Sequence, residues 1–390
     1  MRWLFHDPND RREAASRKRI LDRIADWWDQ FESKSTAIGD LFRGKRKWDL
    51  PAWMHDTLQA IDSHLMWEFG PAVRGDGHRL VITPESQTHL RPLVRAILDR
   101  APDLSGWEFY EYRLAEDLGQ AKLAVEGRTG GTIDDVVVEV RAGETNRINL
   151  LYRSPDTQDE DDRTALEIAL VATETLLGEK ALDRWVGAIE VAPLAGAAKK
   201  GRAIPLARLK DTFNAVIASI RDDLPDVPYA EREDQDKWTL LELQPKEADD
   251  YSDQDDLIVA TTCDVELWKA THGPAPFYSQ RFSRCKETFV YIKMDGSNRR
   301  SGSEAEDRGV IEDAVDEAIG TEGYGIHIGG GTGLRYSYID VALTDLDRGV
   351  ERIRRALRKE RVPEESWILF YDADLATEWV GVHPETPPPP

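Results

Sequence analysis

Apolar residues recur along this chain at two spacings, three to four residues and two, and the alternation between them lays out a series of helices and strands. Ile20, Leu21, Ile24, Trp27, Trp28 and Phe31 share one face of a helix predicted over Arg11 to Phe31, with Arg17, Lys18, Arg23 and Asp26 opposite. Pro51 suits the first turn of a second helix, Trp53 to Leu65. Strands are predicted at Met66 to Phe69 and Arg79 to Thr83, on either side of the turn residues Arg74-Gly75-Asp76-Gly77. A helix carrying Leu90, Leu93, Val94, Ile97 and Leu98 then leads through Ala101-Pro102 to an aromatic strand, Trp107 to Arg113. The order is α-β-β-α-β.

That order recurs. A helix over Leu114 to Glu126 precedes strands at Ile133 to Val140 and Arg147 to Tyr152. A helix with Leu166, Ala169, Leu170, Thr173, Leu176 and Leu177 on one side stops at Gly178, and Trp185 to Val191 closes the set. The small-residue linker Pro193 to Pro205, with Lys199-Lys200-Gly201-Arg202, is the expected domain boundary. A third set has a helix with Leu209, Phe213, Val216, Ile217 and Ile220, strands at Trp238 to Leu243 and Leu257 to Thr262, and a short helix, Val265 to Ala270. In the fourth, the strand Phe289 to Met294 precedes a helix with Ile311, Val315 and Ile319, a hairpin of Tyr324 to Ile328 and Leu334 to Leu343, a helix with Val350, Ile353 and Leu357, and the strand Trp367 to Tyr371.

If the closing strand of one set opens the next, each window reads β-α-β-β-α-β, most plainly at Trp107 to Val191 and Glu287 to Tyr371. The expected fold class is α+β: tandem ferredoxin-like units with antiparallel sheets, preceded by an N-terminal amphipathic helix. The expected division is 1–50 for the N-terminal helix and basic loop, 51–193 and 206–382 for two α+β domains, and 383–390 for a proline-rich tail.

Composition narrows the partners. A chain of 390 residues holds two to four domains with real cores. Its two cysteines, Cys263 and Cys285, have no C-x-x-C spacing, which fits a reducing cytoplasm. Met1 to Asp10 has only Trp3-Leu4-Phe5 as an apolar run, too short for a signal-peptide core, and no stretch approaches the roughly 20 apolar residues of a span. The net charge of -22, from 73 acidic against 51 basic residues, repels nucleic acid and favours a basic protein partner.

Candidate chemistry centres on Gly329-Gly330-Gly331-Thr332-Gly333. A phosphate cradle needs a helix N-terminus after its glycines, and here a strand follows, so the run reads as a β-hairpin turn. Such a turn would present Arg335, Tyr336 and Tyr338, with His327 in the preceding strand. His327, Gly329, Gly330, Gly331, Gly333, Arg335, Tyr336 and Tyr338 are the candidate ligand or partner site. The acidic runs 159–162 and 249–256 lack the calcium-loop pattern and read as solvated loops. Cys285 ends the segment Arg281-Phe282-Ser283-Arg284-Cys285, whose cations could depress its pKa, although a structural thiol is the plainer reading. No catalytic residue, metal ligand or cofactor motif is assembled.

The segments Trp67-Glu68-Phe69-Gly70-Pro71, Val81-Ile82-Thr83-Pro84-Glu85, Ala101-Pro102 and Trp107 to Arg113 resemble a bacterial domain family of unassigned function. The chain departs from that pattern at Thr83-Pro84-Glu85, where a small residue and glycine are expected. The resemblance covers Met66 to Arg113 and implies a bacterial cytoplasmic protein with no residue roles to carry over. The expected function is a non-enzymatic interaction protein, of the regulator or toxin-neutralising immunity kind, whose acidic α+β surface binds a basic partner. The second reading is a small-ligand sensor or enzyme with a pocket between the two ferredoxin-like windows, beside the Gly329 to Gly333 hairpin.

Overall fold

Helix α1 (Arg11–Phe42) begins where the Asp10 carboxylate accepts from the backbone N–H groups of Arg12 and Glu13. It runs a further three turns beyond the expected end at Phe31. Residues 32–36 are polar, but none is glycine or proline, and Ile38 continues the buried stripe of Ile24, Trp27, Trp28 and Phe31. Helix α2 (Leu50–Leu58) follows. The computed structural model describes residues 1–157, 162–194, 203–232, 237–296 and 308–390. It is a mixed α+β protein with an N-terminal helix and largely antiparallel sheets. Among the described residues no helix is long and apolar enough to cross a membrane.

Two compact units are distinguished, Met1–Ala142 with Ile148–Asn214, and Gly143–Arg147 with Ala215–Pro390. The expected linker precedes this division, and its residues 195–202 lie outside the described residues, as do residues 158–161 of the first acidic run.

In the first unit, β1 (Met66–Pro71) and β2 (His78–Thr83) form an antiparallel hairpin; α3 (Arg91–Leu98) then crosses over so that β3 (Trp107–Tyr110) pairs with β2 in parallel. Trp27, Trp28 and Phe31 of α1 pack against this sheet through Trp107 and Phe109, and the Trp28 indole donates to the Ile97 carbonyl at 2.8 Å. The pattern repeats after α4 (Leu118–Thr129). Strands β4 (Val137–Ala142) and β5 (Ile148–Ser154) are antiparallel, α5 (Arg163–Leu177) and α6 (Glu179–Trp185) cross over, and β6 (Val186–Pro193) returns parallel to β5. Strand β7 (Ile204–Pro205) extends this sheet on the β4 side.

The α-β-β-α-β order is therefore present twice, but the window Trp107 to Val191 is not one antiparallel sheet. Its first strand, β3, belongs with β1 and β2, while β4, β5 and β6 form a separate sheet. Each closing strand pairs in parallel within its own set and is not shared with the next. A second correction concerns α5, whose buried residues are Ala169, Val171, Ala172, Thr173, Leu176 and Leu177, whereas Leu166 and Leu170 are exposed.

Helix α7 (Leu209–Asp223) spans the division between the units. In the second unit β8 (Thr239–Glu242), β9 (Leu257–Thr262), α8 (Val265–Thr271), β10 (Thr288–Asp295), α9 (Arg308–Gly320), β11 (Gly325–Gly333), β12 (Tyr336–Leu343), α10 (Leu346–Lys359), β13 (Ser366–Phe370) and β14 (Trp379–Gly381) follow in order. Their strands form one antiparallel sheet in the order β14-β13-β10-β12-β11-β9-β8.

Alternation along these strands gives the sheet two different faces. Val290, Ile292 and Met294 of β10 and Ile339, Val341 and Leu343 of β12 form an apolar face, on which α10 lies closely enough that Leu343 fills the space above Gly349. The opposite face carries Tyr291 and Lys293 of β10, Tyr336, Tyr338 and Asp340 of β12, and Trp367 and Leu369 of β13, covered by the segment before β9. All seven are buried.

Candidate functional site

The glycine run that the sequence places in a turn lies inside β11, hydrogen-bonded to β12 on one side and β9 on the other. The turn itself is the next pair, Leu334 and Arg335. The reason is spacing. Gly329, Gly331 and Gly333 are two apart, so they share a sheet face, and their missing side chains leave room for Asp340 and Thr261 at Gly329, for Leu257 and Val259 of β9 at Gly331 and for Asp256, just before β9, at Gly333. A Cβ at Gly333 would sit 2.3 Å from the Asp256 carboxylate. Gly330 has φ +152°, and a Cβ there would meet the Tyr338 carbonyl oxygen at 2.3 Å.

Asp256 is the centre of what this close approach creates. Its carbonyl accepts from Leu334 N, and its carboxylate accepts from Arg335 N at 2.7 Å, Tyr336 N at 2.9 Å and the Tyr338 hydroxyl at 2.5 Å. An acidic run that reads as a solvated loop thus contributes a fully buried carboxylate. Tyr336 donates to Asp250, also at the covering segment, and Lys293 donates to the Tyr251 carbonyl while its ammonium sits 4.2 Å from the Tyr336 ring centre. Burial pushes the Lys293 ammonium down to about 8, against the opposing pull of Asp256 and Asp250.

One step along the strands, Tyr291, Asp340 and Gly329 stand side by side across β10, β12 and β11. A hydrogen-bond chain starts here. Tyr371 donates to Asp340 at 2.6 Å; Gln254 Nε2 donates to Asp340 at 2.9 Å and to the Tyr371 oxygen at 2.6 Å; and Gln254 Oε1 lies 2.9 Å from His272 Nε2. His272 is stacked on Trp268, ring centres 4.3 Å apart. Burial raises the Tyr291 and Tyr371 hydroxyls well above the usual phenol value and lowers His272. On its other side, His272 Nδ1 lies 3.0 Å from both the Trp268 carbonyl and the Thr271 hydroxyl.

These groups border a cavity of about 540 Å³ in the second unit. Asp253, Gln254, His272, Tyr291, Lys293 and Tyr371 line it, together with Trp379 and the tail residues Pro388, Pro389 and Pro390. The tail is held back against the sheet edge by the Trp367 indole, which donates to the Pro387 carbonyl at 2.6 Å. A cavity of similar size in the first unit, about 550 Å³, is lined by Val136, Ile168, Ala169 and Val191 together with Lys122, Glu126, Asp134, Asp156 and Asp162, and its Lys122–Asp134 pair is exposed.

The candidate residues divide accordingly. Tyr336 and Tyr338 are buried under the covering segment, not displayed by a turn. Arg335 lies in the turn, paired with Asp250 at 3.1 Å and Glu365 at 2.8 Å. His327 is elsewhere: its ring faces α9, 3.8 Å from Glu312 and 3.9 Å from Asp316, beside Trp238. Asp256, Lys293, Tyr291, Tyr371, Gln254 and His272 are not among the candidate site residues read from the sequence; the two-residue glycine period is the signal that points toward them. Cys285 is no activated thiol, since burial raises its pKa. Among the described residues no group of three or more His, Cys, Asp or Glu side chains is placed to hold a metal ion.

The depressed His272 has a measurable consequence. Between its folded value and the ordinary 6.5, the unfolded chain binds more protons than the folded one, so stability rises with pH across that window and is lost on acidification through it. A His272→Gln variant, compared with the parent by urea unfolding at pH 7.5 and 5.5, is expected to lose less stability over that interval. Equal losses in the two proteins would refute the assignment.

Comparison of the chain with family models, with curated proteins and with solved structures gave no match.

Proposed function

We propose that this chain is a binding protein, and that its second unit receives a small ligand, or a single side chain of a partner, in the cavity beside Tyr371. The observation that carries the reading is the polar floor. A sheet face covered by protein is most stably filled with apolar side chains, because buried charges lose more solvation than they regain unless fully paired. Here that face holds Lys293 and Asp340, with Asp256 of the covering segment packed on it, and Lys293 lines an open cavity. Titratable groups with displaced pKa values at a cavity mark binding sites more often than ordinary cores. We read β10-α9-β11-β12-α10-β13, with strands in the order β13-β10-β12-β11, as a ferredoxin-like module extended at both edges. Recognition of a basic partner in the cytoplasm through the acidic surface is the second reading, favoured by Asp253 and Asp255, which are exposed at the cavity.

Thermal unfolding of the full chain against a panel of metabolites, amines and nucleotides tests the first reading. A ligand at about 100 times its dissociation constant adds roughly 2.7 kcal/mol of stability and raises Tm. Ala376 lies exposed at the cavity, and Ala376→Trp should abolish the shift while leaving the unliganded Tm unchanged. A panel without any shift overturns the binding reading, and a shift that survives Ala376→Trp overturns its location.

A further inference from the structure

We infer that the ligand of this cavity is an organic cation, an alkylammonium or guanidinium group held between aromatic rings and the carboxylates of the covering segment. The inference rests on the binding reading above and specifies its chemistry.

The charges at the cavity are unequal. Asp253, Asp255 and Glu378 line it, with Asp340 bonded to the Tyr371 hydroxyl, and among the described residues Lys293 is its one lining Lys or Arg. The ammonium of Lys293 offsets these charges only in part. It is fully buried, bonded to the Tyr251 carbonyl and directed at the Tyr336 ring, and its one positive charge is shared among Asp256, Asp250, Asp253 and Asp255. Asp253 and Asp255 by contrast are exposed, and Asp253 accepts from the Tyr291 hydroxyl at 3.1 Å, which fixes that carboxylate at the wall. A cation entering the cavity meets a carboxylate already oriented, and an anion meets repulsion.

The walls add a second, independent preference. Tyr291 and Tyr371 stand with ring centres 4.8 Å apart at an interplanar angle of 37°, and Trp379 lines the same cavity. Aromatic rings joined to a carboxylate are the arrangement that holds alkylammonium and guanidinium groups, through the negative ring face and direct charge. Tyr371 and Gln254 of the hydrogen-bond chain are uncharged, and burial lowers the pKa of His272. A cavity of about 540 Å³ has room for an arginine- or lysine-sized group. The same chemistry can arrive as a free amine or on the side chain of a basic protein.

Calorimetric titration of the full chain distinguishes these outcomes. Agmatine, with a guanidinium and an ammonium, is the free cation, butylurea a neutral urea of the same chain length without the amine, butyrate the anion, and an acetylated Gly-Gly-Arg-Gly-Gly amide the side-chain source. The expected result is binding of agmatine at least about tenfold tighter than butylurea, no binding of butyrate, and weakening of agmatine by about tenfold in Asp255→Asn. Asp255 is exposed, so this variant should keep the parent Tm; Trp379→Leu gives a second test should it not. The peptide binding as well as agmatine assigns a partner side chain, and agmatine alone assigns a free amine. Butylurea or butyrate matching agmatine, or unchanged agmatine affinity in both variants, overturns the cation assignment and leaves the binding reading standing. Binding of no compound from any class overturns both.

Discussion

Replacing Asp256 with alanine is expected to destabilise the second unit by about 3–5 kcal/mol, because three donors lose their acceptor at roughly 1–3 kcal/mol each. The loss has named parts. Arg335 N, Tyr336 N and the Tyr338 hydroxyl would be left as buried donors without their acceptor, and Lys293 would lose the charge that most opposes its desolvation. Asp256→Asn keeps one acceptor and the shape, so its loss should be smaller. Asp256→Ala combined with Lys293→Met should be milder than the sum of the single changes, because the stranded ammonium is removed with its partner. Gly333→Ala provides an internal check: the added methyl collides with the Asp256 carboxylate in the parent but not in Asp256→Ala. Hydrogen exchange read on peptides from β9, β11 and β12 localises the effect. A loss below about 1 kcal/mol, or strict additivity of the double variant, contradicts the role given to Asp256.

How much of this was legible beforehand can be traced residue by residue. Strand β9 spans Leu257–Thr262, as its β-branched alternation indicates, and α8 extends the predicted helix by only Thr271. Local periodicity reaches that far because it is set by which face each element buries. It does not reach the pairing of strands. The parallel return of β3 beside β2 and of β6 beside β5 depends on where α3 and α5 carry the chain, and the same element order serves a shared antiparallel sheet equally well.

The site was hidden for a related reason. Asp256 bonds residues 79, 80 and 82 positions away, so nothing in its own acidic neighbourhood distinguishes it from the exposed Asp253 and Asp255. A cluster of glycines ordinarily punctuates the chain, which is why 329–333 reads as a turn. The alternative was present in the spacing: glycines at 329, 331 and 333 recur with strand period, and a strand face without side chains implies another backbone lying on it. His327 was correctly out of phase with Ile326 and Ile328, and that same phase directs it toward α9 and away from the tyrosines it was grouped with.

Arg91→Ala is the companion experiment in the first unit, with an expected loss of about 3–5 kcal/mol. Arg91 opens α3 and is fully buried. Its guanidinium donates to Glu179 and Asp183 at 2.8 Å each and to the Glu111 carbonyl at 2.6 Å, and it stacks 3.8 Å from the Tyr112 ring. Glu179, at the start of α6, also accepts from the Thr83 hydroxyl and from Arg113 N. These bonds tie β2 and α3 of the first strand set to α6 of the second, joining two sheets that share no strand. Alanine leaves the Glu179 carboxylate buried without its cation. Arg91→Lys should recover little, since one ammonium cannot reproduce a planar fork reaching two carboxylates and a carbonyl. Replacing the pair together, Arg91→Met with Glu179→Leu, removes both charges and should be markedly milder than Arg91→Ala. The measurement is hydrogen exchange on α3 and α6 across a urea series; faster exchange in both helices at lower urea is expected for Arg91→Ala. If α6 keeps its protection while α3 loses it, Arg91 supports only its own helix and the two strand sets are held together by other contacts.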